Sequence, residues 1–228
     1  MPIVRSRLVG AFGLTLALIA LACARGAEAP APVTVFAAAS LAAPFEAIAK
    51  AFESSPGGRK VRLHTDGSQN LVLQIREGAA ASVFASADEA NMAKVVALSR
   101  VDGTPQVFAR NRLAIVVKEG NDKGIRELAD LARADLKVAL CGPTVPVGNY
   151  ARQALQKASV QVKSVSDETS VKALVSKVLM GEIDAAIAYA TDARSGCVAI
   201  PVAAEHDVVA NYPIAVLATR GTDANGDR

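Results

Sequence analysis

The feature that most constrains the fold of this chain is a short strand that runs directly into a helix. Residues 33–36 are β-branched or aromatic and follow two prolines, which predicts a buried strand. From Leu41 onward apolar residues recur at helical spacing, and Ser40 lies where the period changes, at the predicted N-cap of the helix. A helix start presents unpaired N–H groups and a partial positive charge, so this junction is a candidate anion site.

The same transition from strand to helix is predicted at three later places. Strands are predicted at residues 61–65, 136–141 and 160–165, and helices follow from about residues 71, 150 and 171. Strands that alternate with helices build a mainly parallel sheet with helices on both faces. The sequence therefore predicts an α/β fold, in which the junctions lie at Ser40, Ser68, Val147 and Val171.

These junctions are expected to meet in one cleft, because open α/β sheets bind ligands beyond the carboxyl ends of their strands. Helix starts that converge from two lobes would make the cleft rich in N–H and O–H donors and poor in full charges. Tyr189, at the end of a strand predicted over residues 183–189, adds a phenolic donor. Such a cleft matches a fully ionised oxyanion, which offers only acceptors.

Two lobes are expected within the mature chain. A strong apolar strand within residues 108–117 is a candidate crossing into a second lobe, and strands at residues 198–202 and 212–217 are expected to return to the first. About 200 residues suffice for a core in each lobe. The predicted lobes are residues 30–108 together with 196–228, and residues 109–195.

Residues 1–29 are expected to be a secretory signal peptide. Two arginines precede an almost unbroken apolar run at residues 8–22, and small residues follow. Two processing routes stay open, namely cleavage near the A-x-A pattern of residues 27–29 or lipid attachment at Cys23, which lies in a lipoprotein-like box. Either route predicts a protein that works outside the cytoplasm, in the periplasm.

The charge balance excludes nucleic acid as an expected partner. The whole chain has 25 basic and 22 acidic residues, and removing the three arginines and one glutamate of the predicted leader leaves a net charge of +1. Aromatic residues make up only 4% of the chain, and no basic stripe is present. A nucleic-acid interface needs both features more strongly than this sequence supplies them.

Catalysis and metal binding are not expected either. A triad of Ser40 or Ser68 with His64 and Asp66 is disfavoured, because the G-x-S-x-G pattern is absent and His64 lies inside a predicted strand. The histidines and cysteines lack the spacing of metal ligands. The two cysteines of the mature chain, Cys141 and Cys197, either pair or remain separate thiols, and the sequence leaves both alternatives open.

Six segments resemble the periplasmic molybdate-binding proteins of ABC importers. They occur in the family's order and extend over nearly the whole mature chain, from about residue 33 to residue 217. Several motifs in series make the resemblance specific. The segments are residues 35–41, 67–78, 83–88, 145–151, 181–193 and 212–216.

The resemblance implies a type II two-lobed periplasmic binding-protein fold, with a mainly parallel sheet flanked by helices in each lobe. It implies a monomer that captures molybdate or tungstate and delivers it to a membrane permease, with no cofactor and no catalysis. Ser40 and Ser68 would donate through hydroxyl and backbone N–H, Val147 and Val171 through backbone N–H, and Tyr189 through its hydroxyl. The metal atom would have no direct protein ligand. Sulfate as the cargo, or a sensor role without transport, stays open as an alternative.

The sequence departs from the family pattern at three places. Val147 stands where the family has a smaller residue, and the loop at residues 141–145 is one residue shorter. After residues 212–216 the family continues into a C-terminal helix, whereas residues 221–228 are mostly polar here. A first lobe without that helix is expected to be less stable.

Overall fold

The secondary structure alternates between strands and helices, as the hydrophobic pattern predicts. The computed structural model describes residues 30–218; the predicted signal peptide, the candidate lipidation site Cys23 and the C-terminal segment lie outside the described residues. Within the described part, no helix is long and apolar enough to cross a membrane. The described residues from Pro32 to Ala218 belong to one compact unit.

Five α-helices and ten strands make up the described residues. The helices are α1 (Ala42–Glu53), α2 (Ser68–Arg76), α3 (Glu89–Ala97), α4 (Pro146–Lys157) and α5 (Val171–Met180). The strands are β1 (Val33–Ala38), β2 (Val61–Asp66), β3 (Val83–Ala85), β4 (Val101–Asn111), β5 (Leu113–Lys118), β6 (Val138–Cys141), β7 (Asp167–Glu168), β8 (Ala185–Tyr189), β9 (Cys197–Pro201) and β10 (Ala210–Leu217). Short 3₁₀ turns occupy Ala39–Leu41, Leu128–Ala132 and Ala190–Asp192.

The strands form two five-stranded sheets, so the predicted two-lobed α/β fold is confirmed. The first sheet has the order β2-β1-β3-β10-β4 and the second the order β7-β6-β8-β5-β9. Both are mixed rather than mainly parallel, because β10 and β5 each run against both of their neighbours. The chain enters the second sheet at β5 and returns to the first sheet at β10. In the described part of the chain no helix directly precedes either strand, whereas a parallel pair needs a long crossover connection, usually a helix.

One strand lies in a different sheet from the one predicted. Residues 196–228 are predicted to belong to the first lobe, and β10 does pair there with β3 and β4. However, β9 pairs with β5 in the second sheet, from Cys197 opposite Lys118 to Pro201 opposite Ala114. The bond from the Glu119 N–H to the Gly196 carbonyl (2.8 Å) extends this ladder, so the return to the first sheet comes after β9.

The predicted helix starts are confirmed at one place and shifted at another. The start predicted at residue 171 is confirmed, since α5 begins at Val171, with Ser170 accepting from the Ala173 N–H at 3.3 Å and Gly181 closing the helix at φ +74°. The helix predicted to begin at residue 150 begins earlier, at Pro146. The strand predicted over residues 160–165 is wrong, because Val160 and Val162 pack on the core from an irregular segment and the strand beside β6 begins only at Asp167.

The core follows the alternation of side chains along β1. Val35 and Ala37 face a large buried cluster that continues through the second sheet, whereas Phe36 faces a smaller cluster beneath α2 and α3. Full burial of an aliphatic or aromatic side chain contributes about 1.5–3 kcal/mol. Both faces of β1 are therefore anchored, which holds the Ser40 turn that follows it. Cys141 is buried and Cys197 half-buried, and both are free thiols.

Candidate oxyanion site

All five predicted site residues lie around one cavity between the two sheets. The residues that line it come from the ends of β1 and β8, from the segment after β3, and from the starts of α2, α4 and α5. The cavity has a volume of about 20 Å³, far smaller than the roughly 300–1,000 Å³ of sites for drug-sized ligands. Those residues are Ala38, Ala39, Ser40, Gly67, Ser68, Ala87, Val145, Pro146, Val147, Val171 and Tyr189.

Three helices begin at this cavity. Ser68 is the first residue of α2 and Val171 the first residue of α5. Val147 is the second residue of α4, and the first is Pro146, which has no N–H, so the leading amide of this helix belongs to Val147. The first N–H groups of a helix have no intrahelical acceptor, and the helix dipole adds a partial positive charge. The three helix starts can therefore bind an anion through backbone amides.

Gly148 allows α4 to begin so close to the preceding strand. A Cβ atom at this position would lie 2.2 Å from the Gly142 carbonyl oxygen and 2.4 Å from the Cys141 carbonyl oxygen. Both neighbours are backbone atoms, so they cannot move aside as a flexible side chain would. The absence of a side chain at Gly148 therefore sets the position of the Val147 amide.

Ser68 is held by a donor from its own lobe. Its hydroxyl oxygen accepts a hydrogen bond from the Ala87 N–H at 3.0 Å, and the residue is only 1% exposed. Because that N–H can only donate, the hydroxyl proton of Ser68 remains available for another acceptor. Asp66 shapes the turn before it by accepting from the Gly67 N–H and the Asn70 amide at 2.7 and 3.1 Å.

Ser40 does not cap a helix, so that part of the sequence prediction is wrong. It is the middle residue of the 3₁₀ turn Ala39–Leu41, and α1 begins only at Ala42 without a side-chain cap. Its hydroxyl oxygen instead lies 3.2 Å from the hydroxyl of Tyr212 on β10. The sequence reasoning missed this partner, although Tyr212 belongs to one of the motifs that carry the family resemblance.

Tyr189 reaches the cavity from the second sheet. Its hydroxyl donates a long hydrogen bond (3.5 Å) to the Ala87 carbonyl of the first lobe, and its ring contacts that of Tyr212 edge to face, with centroids 5.6 Å apart. Burial raises the pKa of both tyrosines well above the ordinary value, and the nearby carboxylate of Asp192 raises them further. Both phenols are therefore neutral at physiological pH and can donate.

The charges lie outside this cavity. None of the described residues that line it is acidic or basic. The wider cleft beside it, which shares Ala39 and Ser40 with the cavity, has three cations along its walls, Arg110, Lys172 and Arg194, and two carboxylates, Glu46 and Asp192. The cations exceed the carboxylates by one, and a positive excess at a cleft raises the local concentration of anions.

The two lobes also contact each other directly beside the cavity. The Gln69 side-chain amide, on the second residue of α2, donates to the Thr169 carbonyl of the second lobe at 3.0 Å. The Thr169 carbonyl lies two residues before Val171, the start of α5. This bond and the one from Tyr189 to Ala87 hold the two halves of the donor set together.

This architecture, two α/β lobes with helix starts that converge on a small neutral cavity, defines a two-lobed solute-binding protein. The family model of the bacterial extracellular solute-binding proteins matches residues 33–227. The chain belongs to this family, whose members bind solutes outside the cytoplasm.

Several relatives within the family are named as molybdate-binding proteins. A molybdate-binding protein, ModA, of Mycobacterium tuberculosis is 41% identical over 190 residues, which cover 81% of this chain and 72% of the relative. The ModA of Haemophilus influenzae is 29% identical over 206 residues, covering 83% and 79%. Among solved structures, the periplasmic molybdate-binding protein of Azotobacter vinelandii has a TM-score of 0.63 at 18% identity, covering 81% of this chain and 85% of that chain. That likeness shows the fold.

Proposed function

We propose that this protein is a periplasmic carrier that captures molybdate or tungstate between its lobes. The observation that carries the proposal is the convergence of two serine hydroxyls, one phenol and three helix starts on one uncharged cavity. A tetrahedral dianion has only acceptor oxygens, and the hydroxyls and amides of this cavity can donate hydrogen bonds to them. The mycobacterial relative that binds molybdate, at 41% identity, supports the same cargo.

In this proposal each lobe supplies part of the shell around the anion. Ser40 and Ser68 donate hydroxyl and amide hydrogens from the first lobe. Val147 and Val171 donate amide hydrogens from the second lobe, and Tyr189 turns its hydroxyl from the Ala87 carbonyl to the anion. The anion therefore bonds to both lobes at once, and its binding energy favours the closed arrangement.

The donor set also discriminates among oxyanions. Hydrogen phosphate has a proton that must find an acceptor, and a donor that meets another donor inside a cavity costs the full desolvation of that group. Molybdate, tungstate and sulfate are fully ionised at neutral pH and meet no such penalty. Phosphate is therefore expected to be rejected by hydrogen bonding, whereas sulfate must be rejected by its size.

The remaining steps of the proposed role lie outside the cavity. We infer that a monomer carries the anion to the permease of an ABC importer and takes no part in catalysis. The predicted leader, cleaved or lipidated at Cys23, would bring the chain to the periplasm. Lobe boundaries near residues 112 and 202, instead of 109 and 196, fit the sheets, since β4 ends at Asn111 in the first sheet and β9 belongs to the second.

Thermal melting of the mature protein with molybdate, tungstate, sulfate and phosphate in parallel tests the cargo. A ligand at 100 times its dissociation constant adds about 2.7 kcal/mol to the free energy of unfolding, which gives a clear shift in Tm. A shift with molybdate and tungstate alone is expected. A shift with sulfate alone, or with none of the four anions, would overturn the proposed cargo.

A further inference from the structure

A chain of hydrogen bonds leads from the crossing between the lobes to the Ser40 hydroxyl. The Tyr212 hydroxyl lies between the Asn111 side-chain nitrogen, at 3.3 Å, and the Ser40 oxygen, at 3.2 Å. Tyr212 is on β10 and only 2% exposed, and Asn111 is the last residue of β4. No ligand role is predicted for either residue, so their place behind Ser40 is unexplained by the donor set alone.

The direction of this chain follows from the chemistry of its first member. The Asn111 side-chain oxygen accepts from the Arg112 N–H at 2.9 Å, which fixes the orientation of the amide. The amide nitrogen therefore faces Tyr212, and it also donates to the Thr191 hydroxyl at 2.7 Å. An amide nitrogen can only donate, so the Tyr212 oxygen must accept from Asn111.

The Tyr212 proton is then free to point at Ser40. The bond from Asn111 occupies one acceptor site of the Tyr212 oxygen, and at 3.2 Å either hydroxyl can be the donor in the pair with Ser40. We take Tyr212 as the donor of its single proton to the Ser40 oxygen. Ser40 becomes the acceptor in this pair, so its own proton is available to the cavity. The Ala87 N–H produces the same result at Ser68 through a backbone group.

We propose that Tyr212, oriented by Asn111, is a positioning residue that makes the Ser40 hydroxyl a donor to the bound oxyanion. This inference rests on the proposed function of the cavity. Without the Tyr212 hydroxyl, Ser40 is free to rotate and can accept as well as donate. The pair therefore contributes to affinity for molybdate and to the rejection of anions that carry a proton.

The test is a double-mutant cycle on the mature protein, measured by titration calorimetry with molybdate and with phosphate. Tyr212→Phe is expected to weaken molybdate binding about tenfold, the worth of one hydrogen bond to a charged group. In the Ser40→Ala background the same change is expected to weaken binding less than twofold. Phosphate is not expected to bind the unchanged protein, whereas weak phosphate binding is expected in Tyr212→Phe, because the Ser40 oxygen can then accept the phosphate proton.

Two further variants distinguish the hydrogen-bond direction at Tyr212 from a role of its ring in packing. Tyr150→Phe removes a tyrosine hydroxyl that does not line the cavity, and its molybdate affinity is expected to match the unchanged protein. Asn111→Asp replaces the orienting donor by an acceptor of the same shape. Tyr212 then donates its proton to residue 111 and accepts a hydrogen bond from the Ser40 hydroxyl, so the Ser40 proton no longer faces the cavity. Molybdate affinity is expected to fall more with Ser40 present than in the Ser40→Ala background, because the added charge acts in both backgrounds whereas the relay needs Ser40.

The outcomes distinguish this inference from the proposed function. If the unchanged protein binds none of the oxyanions, the proposed function fails and takes this inference with it. If the unchanged protein binds molybdate but Tyr212→Phe weakens binding equally with and without Ser40→Ala, Tyr212 only packs, and the inference is wrong. Should Tyr212→Phe not fold, the cycle of Asn111→Asp with Ser40→Ala decides, since additive effects there contradict the relay.

Discussion

The two lobes contribute to the same cavity through different chemistry. The first lobe presents side-chain hydroxyls, Ser40 and Ser68, each beside a donor or hydroxyl of its own lobe. The second lobe presents mainly backbone, the amides at the starts of α4 and α5, with Tyr189 as its one hydroxyl at the cavity among the described residues. Point substitutions can therefore delete donors on one side, whereas on the other side they must displace the backbone.

The largest effect is expected from a backbone displacement in the second lobe. Gly148→Ala would place a Cβ 2.2 Å from the Gly142 carbonyl oxygen, so α4 must move away from the strand that precedes it. We expect a loss of more than about 3 kcal/mol in the free energy of unfolding and no measurable molybdate binding. Denaturant unfolding and calorimetry measure both quantities.

Gly103→Ala is the control for Gly148→Ala. Gly103 has a positive φ of +78° but open space around the added Cβ, so it measures the cost of conformational strain without a backbone clash. Its molybdate affinity should be unchanged. Equal affinities in Gly148→Ala and Gly103→Ala would show that the close approach at Gly148 does not position the Val147 amide.

The next effect is expected in the first lobe at Ser68. Ser68→Ala deletes one donor to the anion and leaves the Ala87 N–H without its acceptor in a buried site. Removing a hydrogen bond to a charged group weakens binding roughly 10- to 100-fold, and an unsatisfied buried donor costs about 1–3 kcal/mol of stability. Calorimetry measures the first effect and urea unfolding the second.

Ser176→Ala is the matched control for Ser68→Ala. The Ser176 hydroxyl bonds the Lys172 carbonyl on the exposed side of α5, away from the cavity. We expect its affinity and stability to stay within measurement error of the unchanged protein. A loss of affinity in Ser68→Ala no greater than in this control would remove Ser68 from the donor set.

How far the sequence predicts this site depends on the range of the interactions. The caps at Asp88, Ser170 and Gly181 are local features, since each residue directly adjoins the helix end that it closes. The five candidate residues lie around one cavity because each follows a strand whose end faces the other lobe. The partner of Ser40 lies 172 residues away in the chain, and no local period encodes such a pairing.

The strand errors have the same origin. β9 has the alternation of a strand, but its position next to β5 depends on where the chain turns at Gly196, not on its own residues. Residues 160–165 alternate as a strand would, yet Val160 and Val162 pack on the core from an irregular segment and Val165 is exposed. Hydrophobic pattern predicts which side chains are buried, whereas tertiary geometry decides which backbone they pair with.

The lobes also differ in the buried carboxylates that lie beside the cavity, and one of these makes the stability of the protein depend on pH. In the first lobe Asp88 accepts from the Asn91 N–H and side-chain amide and from Ser86, whereas in the second lobe Asp192 accepts from the Tyr189 N–H at 3.3 Å. Burial raises the pKa of Asp192 to about 6, with Arg194 lowering it only in part. The folded protein therefore binds a proton on Asp192 that the unfolded chain has released.

The sign of the pH dependence follows from that difference. Between the unfolded pKa near 4 and the folded pKa of about 6, the folded state holds more protons, so stability falls as pH rises through this window. Asp192→Asn keeps an acceptor for Tyr189 and removes the titration. The stability difference between the two proteins is expected to change by roughly 1–3 kcal/mol from pH 4 to pH 7.5 in denaturant unfolding. A constant difference would contradict the raised pKa.

The smallest effect on binding is expected at Val147, where only the backbone is assigned a role. Val147→Ala keeps the amide and its place behind Pro146, so molybdate affinity should stay within about twofold. The side chain is buried, and removing two methyl groups should still lower the free energy of unfolding by about 1–2.5 kcal/mol. Affinity and stability thus separate at Val147, whereas both fall at Ser68. A tenfold loss of affinity in Val147→Ala, measured by calorimetry, would mean that the second lobe recognises the anion through side-chain packing as well as through its amides.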